Sequence, residues 1–459
     1  MPTLSRYNHF QPWQDGYYIA YNALSGAVAL MTEENYAVYR RLVGKLNGAA
    51  TPDLSEEEAG LLKQLEYGAF VRSDGVDERA LLRFNHNIAR YDRTTLGFVI
   101  APTMACNMAC VYCFENKTAR KMSPEVMAAI VSYVEKRARS ISGLQIDWYG
   151  GEPLLALDVI ESLTASFVEM GEKHQFEYSS SMISNGYLLT AETVDRLVAL
   201  KIRHVQITLD GPARIHNVKR PLKNKKESFY RILENLKYAS TKLSVGIRVN
   251  VDKSFTIDMI EELLAELTAA GLRERAGVYF GMVEPSSQVC ANIAESCYET
   301  ADFSAIEVDY YRLLLARGFR IDKLPSPVAV FCMAQSTNAH LVDPDGNLYR
   351  CWNHAGDAPK AYGTITDEIN YLHPNFQRLF SADPFDHALC VECELLPICM
   401  GGCPARRADR QLAGTQMCEA WKHNLQPMLE IIARSKQQEM ARRQQQEAEA
   451  QAAEKESTT

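Results

Sequence analysis

Three cysteines stand close together in the stretch ACNMACVYCFE, residues 105–115: Cys106, Cys110 and Cys113, spaced C-x3-C-x2-C. Thiols so grouped can form disulfides, bind zinc or hold an iron–sulfur cluster. A disulfide cannot use three of them. Zinc sites reach four ligands by pairing C-x2-C units, and this stretch has one such unit. Three thiolates on a [4Fe–4S] cube leave one iron without a protein ligand, and that iron can bind a substrate or cofactor. On that reading the open corner is the working part of the loop.

A second group lies far downstream. Cys332 is followed after thirteen residues by Gly346 and after four more by Cys351. Then come Cys390-x2-Cys393-x5-Cys399-x3-Cys403, and Cys418 after fourteen more. Ten of the twelve cysteines thus fall in two blocks, 106–113 and 332–418. Clustered cysteines in a long chain point to metal binding rather than disulfides. Zinc competes for the downstream block, since two ions could take up seven thiolates and a histidine, with His340 and His354 nearby. Cys290 and Cys297 lie outside both blocks and are expected to be plain thiols.

The first cysteine loop needs a rigid mount, and the pattern around it supplies one. Strands are expected at 96–102, 144–150, 178–184, 204–209, 245–251 and 277–283, with helical patterns between them. One helix starts with Ser123 as N-cap and Pro124 as its first residue; another follows Thr256. Six βα repeats predict a parallel sheet, either doubly wound or an incomplete barrel, with chemistry at the C-terminal strand ends. The three-cysteine loop directly follows the first strand and so falls at that end.

Residues 1–90 read as a separate winged-helix-like unit. YYIAYN (17–22) and GAVALM (26–31) are expected as two strands, and a helix follows Thr32. A second helix opens on a capping box of Ser55 and Glu58 and stops at Gly68, and AFVRSD returns as a strand. Such a unit could serve for packing or dimerisation, or dock an extended peptide on an exposed strand. Beyond residue 425 the chain is low in complexity and is expected to fray.

Composition narrows the classes further. The chain has 459 residues, 49 basic against 57 acidic and a net charge of −8, which argues against bulk binding to nucleic acid or anionic membrane. No apolar run approaches the roughly 20 residues that span a bilayer. The start MPTLSRYNHFQPW lacks the pattern of a secretory signal, so a cytoplasmic location is expected.

The three-cysteine loop, with Tyr112 just before its last cysteine and six βα repeats behind it, resembles the radical S-adenosylmethionine (SAM) enzymes. The resemblance implies an α/β fold with a partial (β/α)6 TIM-barrel core. It implies a [4Fe–4S] cluster on Cys106, Cys110 and Cys113 whose open iron chelates SAM, and reductive cleavage to a 5′-deoxyadenosyl radical that takes hydrogen from an unactivated C–H bond. WYGGEPLL resembles the family's glycine–glycine–glutamate motif. Gly150 and Gly151 would let backbone approach a ligand, and Glu152 would accept bonds from the methionine ammonium. Ser184 and Asn185, in ISNGYLLT, would contact the cofactor, and ITLDGP (207–212) ends the fourth strand much as in relatives. Arg220, in HNVKRPLKN, would pair with the cofactor carboxylate, and Tyr112 would pack near the adenine.

The seven-cysteine block is similar to SPASM domains, which hold auxiliary iron–sulfur clusters. By that resemblance Cys332, Cys351 and Cys403 would bind one, and Cys390, Cys393, Cys399 and Cys418 a second, giving three [4Fe–4S] clusters in all. The first comes up one ligand short, leaving room for another side chain or a substrate thiolate. Residues 1–90 look like the leader-recognition element of maturases for ribosomally made peptides, and LLKQLEYGAFVRSD (61–74) is similar to the end of that element. The expected division is thus 1–90, a core at 91–325, a SPASM domain at 326–425 and a charged tail at 426–459.

The function these resemblances imply is a peptide maturase that joins a cysteine sulfur to a carbon, a thioether of sactipeptide or ranthipeptide type. The same radical could instead form a C–C or C–O crosslink. A sulfatase-maturing enzyme would not need the first 90 residues and carries an acid where Trp352 stands. A non-catalytic iron–sulfur scaffold or redox-sensing binding protein would not need Glu152 and Arg220. The implied partners are a precursor peptide held through its leader and a reductant such as flavodoxin or ferredoxin, with no nucleic acid and no membrane. No acid–base residue is assigned.

Overall fold

The computed structural model describes residues 2–48, 53–285, 288–408 and 414–457. Its N-terminal part runs β1 (Thr3–Leu4), β2 (Asn8–Pro12), β3 (Tyr17–Asn22), β4 (Val28–Thr32), α1 (Glu33–Gly48), α2 (Glu56–Tyr67), β5 (Val71–Arg72) and α3 (Glu78–Tyr91). β2, β3 and β4 form an antiparallel sheet, and β1 pairs with β5. Both expected strands are present, joined by a third, β2, whose sequence NHFQP shows no alternation and ends in proline. The capping box at Ser55 and Glu58 is present. Helix α2 stops one residue later than its glycine suggests: Gly68 has φ −82°, and the left-handed residue is Ala69.

The N-terminal unit is not packed apart from the rest. Alternation along β3 turns Ala20 toward α1 and α2, where it joins Tyr39, Leu42 and Leu65. Ile19 and Tyr21 face the other way, onto Leu395, Leu396, Ile398 and Leu429 of the C-terminal region. Helix α3 is capped by Asp77, whose carboxylate accepts from the backbone of Arg79 and Ala80.

The core then alternates strand and helix, with two helices between its fourth strand and its fifth. Strands β6 (Thr95–Ile100), β7 (Gly143–Trp148), β8 (Glu177–Ser184), β9 (Ile202–Thr208), β10 (Ser244–Val251) and β11 (Ala276–Met282) fall where the hydrophobic runs place them. Between them lie α4 (Pro124–Glu135), α5 (Leu157–His174), α6 (Ala191–Ala199), α7 (Ala213–Lys219), α8 (Phe229–Lys242) and α9 (Ile257–Ala269); α10 (Thr300–Ala316) follows β11. Ser123 accepts from the Val126 amide with Pro124 at the first turn, as expected for an N-terminus. Neighbours run β11-β10-β9-β8-β7-β6 with every one of these pairs parallel. A doubly wound sheet reverses its strand order at one point, and this sheet does not. The order is that of an incomplete β/α barrel.

The sheet does not stop at β6. β12 (Ala339–Val342) pairs with it in parallel, Ala339 opposite Gly97 through Val342 opposite Ile100, and β13 (Leu348–Tyr349) folds back antiparallel. The cysteine-rich region therefore shares the core's backbone hydrogen bonds. Beyond it, a C-terminal helix spans Trp421–Ser457, straight across the expected boundary at 425/426. Met428, Leu429, Ile431 and Ile432 are buried, whereas residues 434–447 are almost all exposed but still helical. No helix among the described residues is long and apolar enough to cross a membrane.

Candidate functional site

The loop after β6 is held from two sides. On one, the amides of Gly151 and Glu152, after β7, donate to the carbonyls of Thr103 and Ala105 at 3.1 and 2.9 Å. On the other, the amides of Ala109 and Val111 donate to the carbonyls of Pro221 and Lys219, just past α7, and Lys223 donates back to Asn107. The glycine pair makes this clamp possible. A Cβ on Gly150 would lie 2.4 Å from the Thr103 carbonyl oxygen, and one on Gly151 equally close to that of Ala105. The close approach that these glycines permit is thus to the cysteine loop itself.

Cys106, Cys110 and Cys113 face a cavity of about 490 Å³ at the C-terminal strand ends. Tyr112, Gly150, Gly151, Ser184, Asn185 and Arg220 line the same cavity. Glu152 is the expected residue that does not. It is fully buried beneath the wall, where Oε1 accepts from the Leu154 amide (3.1 Å) and Ser184 Oγ (2.9 Å) and Oε2 from the Asn185 amide (2.8 Å). Its carboxylate thereby fixes the end of β8, and burial raises its pKa. Asn185, so placed, donates from Nδ2 to Asn107 Oδ1 at 2.7 Å.

Tyr112 is tied by its hydroxyl. It donates to Asp210 Oδ2 and accepts from Arg220 Nη1 (2.6 Å) and Asn250 Nδ2 (3.0 Å). Asp210 is fully buried at the end of β9, and its Oδ1 accepts the Asn250 amide at 2.8 Å. Burial raises its carboxyl, with the Arg220 guanidinium pulling the other way. Arg220 Nε is buried without a partner among the described residues. Asp210 and Asn250 were missed in the sequence, although both sit at C-terminal strand ends, where the fold places chemistry. Glu115 and Lys117 also line the cavity; burial pushes the Glu115 carboxyl up to about 7, and Lys117 Nζ donates to the Met108 carbonyl at 3.0 Å.

Burial also pushes the Cys106 thiol up to about 11, with Lys117 opposing, and raises Cys113. Thiols so buried are neutral unless a cation compensates their charge, which is what a metal group provides. Three thiols on one wall, free cavity space and the unpartnered Arg220 Nε fit a [4Fe–4S] cluster with a polar ligand beside it.

The downstream cysteines fall into two neighbourhoods. Cys332 and Cys351 are pushed up to about 11 and 12, by burial first, and each feels Cys403; Cys351 also feels Cys332. Cys390, Cys393, Cys399 and Cys418 line a second cavity of about 150 Å³ with Leu389, Leu396 and Met417. Among the described residues no three His, Cys, Asp or Glu side chains stand close enough to share one ion. Nor does His340 join them: fully buried on β12, it bonds Tyr133 (3.1 Å) and Tyr362 (2.6 Å). Trp352, next to Cys351, reaches the first cavity and packs edge-on against Tyr149. Cys290 and Cys297 are buried past β11, outside both groups.

Comparison with known proteins agrees with this architecture. Residues 100–267 match the Radical SAM superfamily. Mycofactocin maturase MftC of Mycolicibacterium smegmatis is 26% identical over 66% of this chain and 77% of its own. In fold the chain is similar to anSMEcpe with bound AdoMet, at a TM-score of 0.55 and 20% identity over 75% of this chain and 97% of that one. It is also similar to Streptococcus suis SuiB bound to its precursor peptide SuiA, at 0.52 and 16% over 89% and 97%. The loop that opens at Cys106 thus lies within the segment, residues 100–267, that matches the Radical SAM superfamily.

Proposed function

We propose that this enzyme is a peptide maturase that installs a thioether between a cysteine of a ribosomally made precursor and a carbon of another residue. The observation that carries the reading is the 490 Å³ cavity, walled by all three thiols of the Cys106 loop and closed on one side by Trp352 from the seven-cysteine region. Support also comes from relatives: MftC is named a maturase, and SuiB was captured with a precursor peptide.

A [4Fe–4S] cluster on Cys106, Cys110 and Cys113 with SAM beside it supplies, when bound, an electron and a 5′-deoxyadenosyl radical that removes a hydrogen atom. The chain's own residues do the rest. Arg220, half-neutralised by Asp210, stands ready for a carboxylate, and Tyr112 is held by its hydroxyl at the cavity wall. Ser184 and Asn185 are fixed by Glu152 and present polar edges to the same space. Joining carbon to sulfur removes two hydrogens overall, one as the atom transferred to 5′-deoxyadenosine and one as a proton plus an electron that offsets the electron spent on cleaving SAM. Cys332, Cys351 and Cys403 would hold one auxiliary cluster and Cys390, Cys393, Cys399 and Cys418 another, while residues 1–90 would hold the peptide's leader.

Anaerobic reconstitution with dithionite and SAM should yield 5′-deoxyadenosine. With a short cysteine-containing peptide encoded beside this gene, the product should lack two hydrogens and one free thiol. A product that lacks the hydrogens but keeps every thiol would instead be a C–C or C–O crosslink. Absence of 5′-deoxyadenosine from cluster-loaded protein would leave the scaffold reading.

A further inference from the structure

Two arginines line the first cavity, and their surroundings differ. Arg220 faces Asp210 and Tyr112. Arg248, on β10, makes no ion pair among the described residues. Its Nε donates to Asn250 Oδ1 at 2.8 Å, and it faces the hydroxyl of Tyr279 on β11, which donates to Gln206 of β9. Neutral groups from adjacent strands thus orient a guanidinium that no carboxylate neutralises. Gly281 makes the room for it: a Cβ there would lie 2.5 Å from Arg248 Nη2.

The other titratable groups of the wall have partners of their own, Glu115 bonding Tyr149. Glu284 is held by Arg406 at 2.5 Å, and Lys117 stands among the thiols. A guanidinium held by neutral partners keeps its full attraction for an incoming anion, and its planar fork matches a carboxylate with two parallel bonds. Asn250 then links the two halves of the cavity, accepting from Arg248 with its oxygen and donating to Tyr112 with its nitrogen.

We propose that Arg248 is the carboxylate-binding residue of the substrate site, taking either the free C-terminus of the peptide or an Asp or Glu side chain. This rests on the cavity being the peptide-modifying site. A carboxylate docked there is tied through Asn250 to Tyr112 beside the cysteine loop.

The test needs no turnover. Ligand-observed NMR would measure binding of three probes to the cluster-loaded enzyme with SAM: acetyl-Ala-Phe as the free acid, the same dipeptide as its amide, and acetyl-Asp-Phe amide. At least one carboxylate-bearing probe should bind about tenfold or more tighter than the neutral amide, and which one does names the source. Arg248→Gln should erase that preference. Gly281→Ala keeps the charge but displaces its tip, and should erase most of it, which covers the case in which Arg248→Gln fails to fold. Equal binding of all three probes, or a preference that survives both substitutions, overturns the proposal. 5′-Deoxyadenosine formation, measured on the same wild-type preparation, reports separately on the proposed function.

Discussion

The two thiol-bearing regions are built on opposite plans. Cys106, Cys110 and Cys113 ride one loop, clamped by backbone bonds from two neighbouring strand–helix connections and opening onto about 490 Å³. Cys390 and Cys399 sit on short helices and Cys393 and Cys418 between or just beyond such turns, around about 150 Å³ walled by leucine and methionine. The first has room for a group and a ligand beside it; the second has room for a group and little else. On the proposed function, cavity size, more than cysteine count, would separate a place for chemistry from a place that stores or passes charge.

That contrast is open to direct attack. Changing Cys106, Cys110 and Cys113 together to Ala should abolish 5′-deoxyadenosine while leaving iron–sulfur absorbance from the downstream groups. Changing Cys390, Cys393, Cys399 and Cys418 to Ala should depress modified peptide more than 5′-deoxyadenosine. The reverse ranking would break the comparison.

A smaller effect separates the two mounts. Gly151→Ala puts a Cβ within 2.4 and 2.6 Å of two backbone carbonyl oxygens of the cysteine loop, so backbone must move. A loss of about 3 kcal/mol in chemical denaturation is expected, with weakened cluster retention. At Gly402, in the downstream region, the obstacle is the Glu419 side chain rather than backbone, and strain at φ +66° adds to a smaller expected cost of Ala, about 1–2 kcal/mol.

The smallest test addresses the seam between the regions. Burial holds His340 of β12 well below its ordinary value of 6.5. The folded state thus keeps it neutral while the unfolded chain takes up a proton. Stability is full above pH 6.5 and falls below it, by about 1.4 kcal/mol per pH unit. His340→Gln, neutral throughout, should flatten the slope of melting temperature against pH between 6.5 and 5.5.

Much of this was legible in the chain. The six core strands announce themselves as apolar, β-branched runs between capped helices, and the cysteine spacings stand out without any fold. Less visible were features set by partners rather than by local pattern. β12 has four residues and looks like a loop until β6 is beside it. β2 carries no alternation of its own. The bonds that mount Glu152 beneath the cavity wall, from the Leu154 and Asn185 amides, come from partners that the WYGGEPLL motif does not reveal. Arg248 is one of many arginines until its place in the cavity wall without an ion pair among the described residues distinguishes it.

The pairing of β12 with β6 has a practical outcome for anyone trimming this chain. Cutting near residue 325 would strip a neighbour from the very strand that carries the Cys106 loop, baring a row of amides and carbonyls that readily recruit other molecules. Such a fragment should precipitate or swap strands instead of acting as a minimal catalyst.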